Sequence, residues 1–337
     1  VKLTKSIILA LMLLYLMGLA GCGTKETPAT VAEKYPDRPI TLIVPFAAGG
    51  TTDMVARAME RVAYKHLGQN LMIKNVTGAG GSLGWNELVE SNDDGYTLGI
   101  VVTSVLLQSL YEQSRYHYTS ALDPLVQIMD VPPVVVVRAD KSWKDMTELI
   151  KHAKEHPSDI KLGHQGLGTG NHVAGERINR KVGINVPQVP FKGDSEVVAA
   201  LLGDHVQYII VPPPVIKEYV KSGMVKVLGT TAMKRMTDPV FSNAPTLQEQ
   251  GIDVVFSSWY GIAVHKGLPP EIKAKLLAGL EKTVNDPEYI ENMKKLGMEV
   301  DYLGHEEFFK KWLVDARQLK EVVKESGITE KIAAQKK

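Results

Sequence analysis

The sequence predicts an α/β fold in two lobes, on three observations. From Arg38 onward, short β-branched runs alternate with segments of helical period, the pattern of mixed, mostly parallel sheets flanked by helices. The alternation restarts after Arg138, and after Val264 it gives way to helices alone. A chain that leaves one lobe, builds a second and returns crosses between them twice, which makes a hinge around a cleft.

The elements are expected in this order. Ile40 to Val44 is a β-branched strand, and Val55, Ala58, Met59, Val62 and Ala63 then recur at the spacing of a buried helical stripe, with Asp53 placed to cap it. Leu71 to Val76 is a strand, Thr77 to Gly81 a loop, Leu83 to Glu90 a helix and Thr97 to Thr103 a third strand. Val134 to Val137 is a continuous β-branched run, expected to be buried on both faces and to end at Arg138. Helix Met146 to His156, strand Ile160 to Gly163, glycine loop Gln165 to Gly170 and helix Asn171 to Lys181 follow. Strand Gln188 to Pro190, helix Asp194 to Leu202 and strand Val206 to Val211 come next, with Pro212-Pro213-Pro214 forcing an extended exit. After strand Val225 to Thr230, the chain turns near Trp259 into strand Ile262 to Val264 and ends in helices near Pro270 to Asn285, Pro287 to Leu296 and Glu306 to Lys324. The expected lobes are 36–138 with 260–337, and 139–259.

Ahead of this body lies a secretory pattern. Lys2 and Lys5 precede the apolar run Ile7 to Met17, which is too short to span a bilayer, and Leu19-Ala20-Gly21-Cys22 supplies small residues before the chain's one cysteine. A lone cysteine forms no internal disulfide, and at this place it suits a lipidated new N-terminus. The expectation is a lipoprotein signal over 1–21, lipid on Cys22 and a flexible tether over 22–35, holding the protein at an extracytoplasmic membrane face. The alternative for Cys22 is a buried thiol.

With 39 basic against 38 acidic residues the formal charge is +1, which gives no general attraction to nucleic acid. Recognition must therefore be local. Two segments share the order strand, glycine-rich turn, helix: Pro45 to Asp53 and Gly166 to His172. Glycines let backbone N–H groups turn inward and a helix N-terminus adds partial positive charge, so one such loop in each lobe can grip a small carboxylate. Either loop alone is equally an ordinary tight turn. Asp53, a carboxylate itself, is expected to cap and not to bind.

Other chemistry has less support. Gly80-Gly81-Ser82-Leu83-Gly84 fits the G-x-S-x-G elbow, so a lipid-anchored serine hydrolase using Ser82 is the rival. Five residues separate the strand from that serine, and a triad would have to draw on undistinguished candidates such as His265 or His305. Gly166-Leu167-Gly168 lacks the third Rossmann glycine and no Gly-Lys-Ser/Thr forms a P-loop, so no cofactor is expected. His152 and His156 stand one helical turn apart without a zinc pattern, and no metal is expected. His164 and His172 flank the second glycine loop, placed to donate to a ligand or to pack; Trp259 and Tyr260 are placed to wall the cleft or to pack a hinge.

These residues resemble the substrate-binding proteins of tripartite tricarboxylate transporters. The similarity runs from Arg38-Pro39-Ile40-Thr41-Leu42-Ile43-Val44-Pro45-Phe46 with Gly49-Gly50 and Asp53, through Gly78-Ala79-Gly80-Gly81, Asp94 to Leu98 and Gly168 to Glu176. It continues in Val189 to Gly193, Pro245-Thr246-Leu247 and Trp259-Tyr260-Gly261, in order along nearly the whole body. The resemblance implies a two-lobed periplasmic-binding-protein fold of type II, a Venus flytrap, that captures a small carboxylate with backbone amides and delivers it to a large and a small integral membrane subunit. It implies a first-lobe grip by Phe46, Ala47, Gly49, Gly50 and Thr52 and a second-lobe grip by Gly168, Thr169, Gly170 and Asn171. Gly81, Thr103, Gln165, Lys192 and Trp259 complete the expected ligand-binding set. No catalytic activity is expected, and the protein is expected to be a monomer; a sensor touching a membrane signalling partner shares the fold. Many members carry an acidic residue after the strand that ends here at Val211, where this chain has three prolines. The expected ligand is therefore less positive at its distal end than an amino acid.

Overall fold

Ten strands form two mixed sheets among the described residues, 34–111 and 114–334 of a computed structural model. The chain divides into two units, Val1–Tyr35 and Pro36–Lys337, and the fold is that of the second. The expected signal segment, Cys22 and nearly all of the tether lie outside the described residues.

In the first sheet the strand order is β2-β1-β3-β10-β4. Strand β1 (Ile40–Val44) pairs in parallel with β2 (Leu71–Asn75) and β3 (Thr97–Val102), whereas β10 (Ser258–His265) runs antiparallel to β3 and to β4 (Leu122–Val131). Helix α1 (Thr51–Leu67) lays the predicted stripe of Val55, Ala58, Met59, Val62 and Ala63 into the core. Helix α2 (Ser82–Val89) buries Trp85, whose Nε1 donates to Ile100 O at 3.1 Å. The short helices α3 (Ser104–Gln108) and α4 (Tyr118–Ala121) link β3 to β4. The sequence pattern had shown neither these helices nor β4, a strand that carries a proline and an acid in its first three residues.

In the second sheet the order is β7-β6-β8-β5-β9, with β6 (Leu162–His164) parallel to β7 (Gln188–Pro190) and β8 (Tyr208–Val211). Strand β5 (Val134–Arg138) runs antiparallel to β8 and to β9 (Val225–Thr230). Here the structure moves a boundary. The valines expected to close the first lobe belong to the second, and the chain crosses at Pro132-Pro133 instead of after Arg138. Val135 and Val137 pack with Trp143, Leu149 and Ile178 on one face, Val134 and Val136 with Val197 and Leu201 on the other. Helices α5 (Met146–Glu155), α6 (Gly170–Val182) and α7 (Asp194–Leu202) belong to this lobe. After β8, Pro212 alone is extended; Pro213–Ile216 is already a 3-10 turn, because a fixed proline φ suits a helical first turn as well as an extended chain. Helix α8 (Lys217–Lys221) continues it.

Helices α9 (Pro270–Val284) and α10 (Pro287–Lys295) pack on the first lobe beside α1. Helix α11 (His305–Ser326) begins there and makes a third pass. Phe308 and Trp312 pack against Trp259, while Glu176 in α6 takes Lys331 of α12 (Ile328–Ala334) at 3.2 Å. The C-terminal segment expected in the first lobe thus ends on the second. No helix among the described residues is long and apolar enough to cross a membrane.

Candidate functional site between the lobes

Strand β1 ends at Pro45 and the chain turns through Phe46 to Gly50 into α1. Gly50 is the N-cap, and Asp53 lies inside the first turn, three places beyond the cap. Its buried carboxylate instead closes the loop from below, accepting from Gly49 N–H at 2.9 Å, Arg57 Nε at 2.8 Å and Asn75 Nδ2 at 3.0 Å. Burial raises the carboxyl, but these hydrogen bonds outweigh burial and hold it below the usual carboxylate range. Asn75 also donates to Phe46 O at 3.1 Å, and the Phe46 ring stands edge-on to Trp85. Thr52 is buried in the first turn.

The second loop leaves β6 at Gln165 and enters α6 with Thr169 as N-cap. Thr169 Oγ1 donates to Gly166 O at 2.9 Å and Asn171 Nδ2 to Gln165 Oε1 at 3.0 Å, so the loop is tied together by its own side chains. His164 and His172 lie beneath it as a stacked pair, ring centroids 3.8 Å apart, with each Nδ1 bonded to loop backbone at Gly166 or Gly168. Burial depresses both imidazoles, His164 to about 4, so the pair is neutral and braces the loop. His152 on α5 instead packs at a tilt against Trp143 on one side and His156 on the other.

The two glycine loops do not face each other. The first meets the segment opening α7: Ala47 N–H donates to Lys192 O at 3.3 Å and Ser195 Oγ to Ala48 O at 2.9 Å. The second meets α3 and the loop before α2. Gly170 N–H donates to Ser104 Oγ at 3.0 Å, Gln108 Nε2 to Leu167 O at 2.8 Å and Tyr111 Oη to Gly168 O at 3.1 Å. A Cβ on Gly166 would lie 3.0 Å from Gly80 Cα, so backbone approaches backbone across the seam.

At the seam Thr51, Asp194 and Tyr260 come together, all buried, and a charged Asp194 raises the Tyr260 hydroxyl further after burial has already done so. Sequence reasoning missed these three as a group. Strand alternation was the available signal for Tyr260, since neighbours on a strand point to opposite faces. Trp259, expected at the cleft, is turned the other way: its ring joins Phe308 and Trp312 and its Nε1 donates to Asp315 at 2.9 Å. Its N–H donates to Thr103 Oγ1 at 3.0 Å, which ties Thr103 to β10. Lys192 contributes backbone at the seam while its side chain is exposed. Gly81 packs under Trp85, leaving Gly80 as the glycine at the seam.

Ser82 opens α2, and its carbonyl accepts from Tyr118 Oη. The two histidines offered for a triad are bonded elsewhere, His265 Nδ1 to Val89 O and His305 Nδ1 to Pro124 O. The elbow pattern is therefore a helix start without a base. Of its glycines, Gly80 serves close packing across the seam, while Gly81 and Gly84 pack within the first lobe against Trp85 and Pro45.

Comparison with known proteins gives the same answer from another side. The model of the tripartite tricarboxylate transporter family receptor matches residues 55–328. A UPF0065 protein from the gbd 5' region of Cupriavidus necator is 32% identical over 310 residues, 92% of this chain and 94% of that protein. The solved periplasmic binding protein BugD has a TM-score of 0.82 at 31% identity, covering 87% of this chain and 99% of its own. MatC from Rhodopseudomonas palustris, solved with bound malate, has a TM-score of 0.77 at 26% identity, covering 88% of this chain and all of its own. The chain belongs to the tripartite tricarboxylate transporter receptor family, and it is a solute-binding receptor, not an enzyme.

Proposed function

We propose that this receptor captures a small organic carboxylate between its lobes and passes it to the large and small membrane subunits of a tripartite tricarboxylate-type transporter, working from a lipid anchor on Cys22. The observation that carries the ligand class is that helix N-termini lie along the seam between the lobes, α1 at Thr51 beside α7 at Asp194, and α6 at Gly170 against Ser104. First-turn N–H groups have no intrahelical partner, and each terminus carries about half a positive charge, so the seam is suited to an anion without a lysine or arginine. Phe46, Ala47, Gly49, Gly50 and Thr52 on one side, with Gln165 and Gly168 to Asn171 on the other, line the approach. The malate in MatC favours the same class.

A ligand that binds only the folded receptor raises its melting temperature by mass action, about 2.7 kcal/mol of stabilisation at a hundredfold excess over Kd. Mono-, di- and tricarboxylates, aromatic acids included, are the panel to scan; a flat melting temperature across all of them counts against this function. Cys22→Ser is expected to release the receptor from membranes and impair uptake with cleft affinity unchanged. Lost affinity in that variant would refute the division between anchor and cleft.

A further inference from the structure

Asp194 is the first residue of α7 and is only 5% exposed, yet its Oδ1 has no hydrogen-bond partner. The adjoining hydroxyl, Thr51 Oγ1, is fully buried and also lacks one. Both sit where the lobes meet: a Cβ on Gly50 would lie 3.6 Å from Asp194 N and 3.8 Å from Asp194 Cβ. Among the described residues no cationic side chain forms an ion pair with Asp194, and the neighbouring Lys192 is exposed. A buried carboxylate oxygen without a donor is costly unless something else supplies one.

The charge count then narrows the occupant. A bound carboxylate beside an ionised Asp194 places two negative charges in a closed seam, more than helix termini of about half a charge each are suited to balance. An ammonium on the ligand removes the excess and offers the missing N–H. We infer that Asp194 is the specificity-determining residue of the cleft and selects a carboxylate that also carries a protonated amine, with the amine donating to Oδ1. Burial raises the Asp194 carboxyl to about 6, partly offset by Thr51, which fits a group awaiting a cationic partner. The acid missing after Val211 is thus supplied from another element, and the ligand is more positive than the three prolines implied.

This inference rests on the carboxylate reading and can fail separately from it. Calorimetric titration of the full chain would compare matched pairs that differ by one amine: succinate with L-aspartate, glutarate with L-glutamate, 3-phenylpropionate with L-phenylalanine. The expected result is about tenfold or more tighter binding of the amine-bearing member of whichever pair binds, the scale of one charge-assisted hydrogen bond. In Asp194→Asn, which preserves shape, that ratio is expected to fall to about threefold or less. Equal affinity within the pair, or a ratio that the variant leaves unmoved, overturns the role of Asp194 and leaves carboxylate binding intact. Silence from all six probes alongside a melting shift from another carboxylate of the panel overturns the amine selection alone, and silence from the whole panel overturns both. If Asp194→Asn does not fold, Asp194→Ser serves in the same comparison, with the same ratio expected to fall.

Discussion

Asp53 and Asp194 are both acids in the first turn of a helix behind a glycine, and their surroundings give them opposite fates. Three donors surround Asp53, which therefore locks its loop as a stable carboxylate. Burial of Asp194 is only partly offset by Thr51, so its carboxyl is raised to about 6 from 3.8. An acid with a raised folded pKa contributes stability that is complete below its unfolded value and is lost as pH rises through the folded one. The unliganded protein is therefore expected to lose on the order of 3 kcal/mol from this group between about pH 4 and pH 7. Asp194→Asn removes that titration. Urea unfolding should find the variant gaining on wild type across this window, and a gap independent of pH would show that the carboxylate is not strained by burial.

The glycine loops act through elements, because each joins a strand end to a helix start and fixes where the helix N–H groups point. Gly168 and Gly183 share the left-handed conformation, with φ of 71° and 69°, but only Gly168 faces the other lobe. A Cβ there would lie 2.3 Å from the Tyr111 ring, whereas Gly183 has open space around it. Alanine at either place costs about 1–2 kcal/mol of backbone strain. Gly168→Ala is expected to weaken ligand binding tenfold or more in addition, by holding the lobes apart, and Gly183→Ala to leave affinity unchanged. Titration of both variants with a bound carboxylate separates the effects; equal affinities would mean that the second loop does not close on Tyr111.

At the scale of the whole molecule, the lobes are held by backbone and side-chain hydrogen bonds across the seam and by three chain passes. The Tyr111 bond to Gly168 O forms only when the lobes are together, and burial raises the hydroxyl well above its usual range, so it remains a donor. Tyr111→Phe removes one net hydrogen bond, about 1 kcal/mol, from the closed state alone. Apparent affinity should fall about fivefold, and X-ray scattering should report a larger unliganded radius of gyration. An unchanged radius would indicate that other contacts hold the seam. The third pass, α11, constrains the hinge through Phe308 and Trp312 on Trp259. Trp312→Ala should cost about 3–5 kcal/mol of stability in denaturant unfolding, since that ring is fully buried.

Most helices, the strands of parallel pairing and both glycine loops were legible in the sequence because their signals are local: a 3.6-residue period, β-branching, a glycine where the chain must turn. Strand β4 was not, because the proline and acid at its start hide its period and it is held by β10, more than a hundred residues away in the chain. The same limit placed Val134 to Arg138 in the wrong lobe, since continuous burial says that both faces are covered and not by which helices. By itself the sequence determined a two-lobed α/β receptor with an anion-suited turn in each lobe. Only the tertiary structure decided that the loops meet other partners, that Trp259 turns away while Tyr260 turns in, and that one oxygen of the buried Asp194 is left without a partner at the seam. Those outcomes depend on which surfaces approach when the lobes close, and contacts between residues distant in sequence leave no periodicity to read.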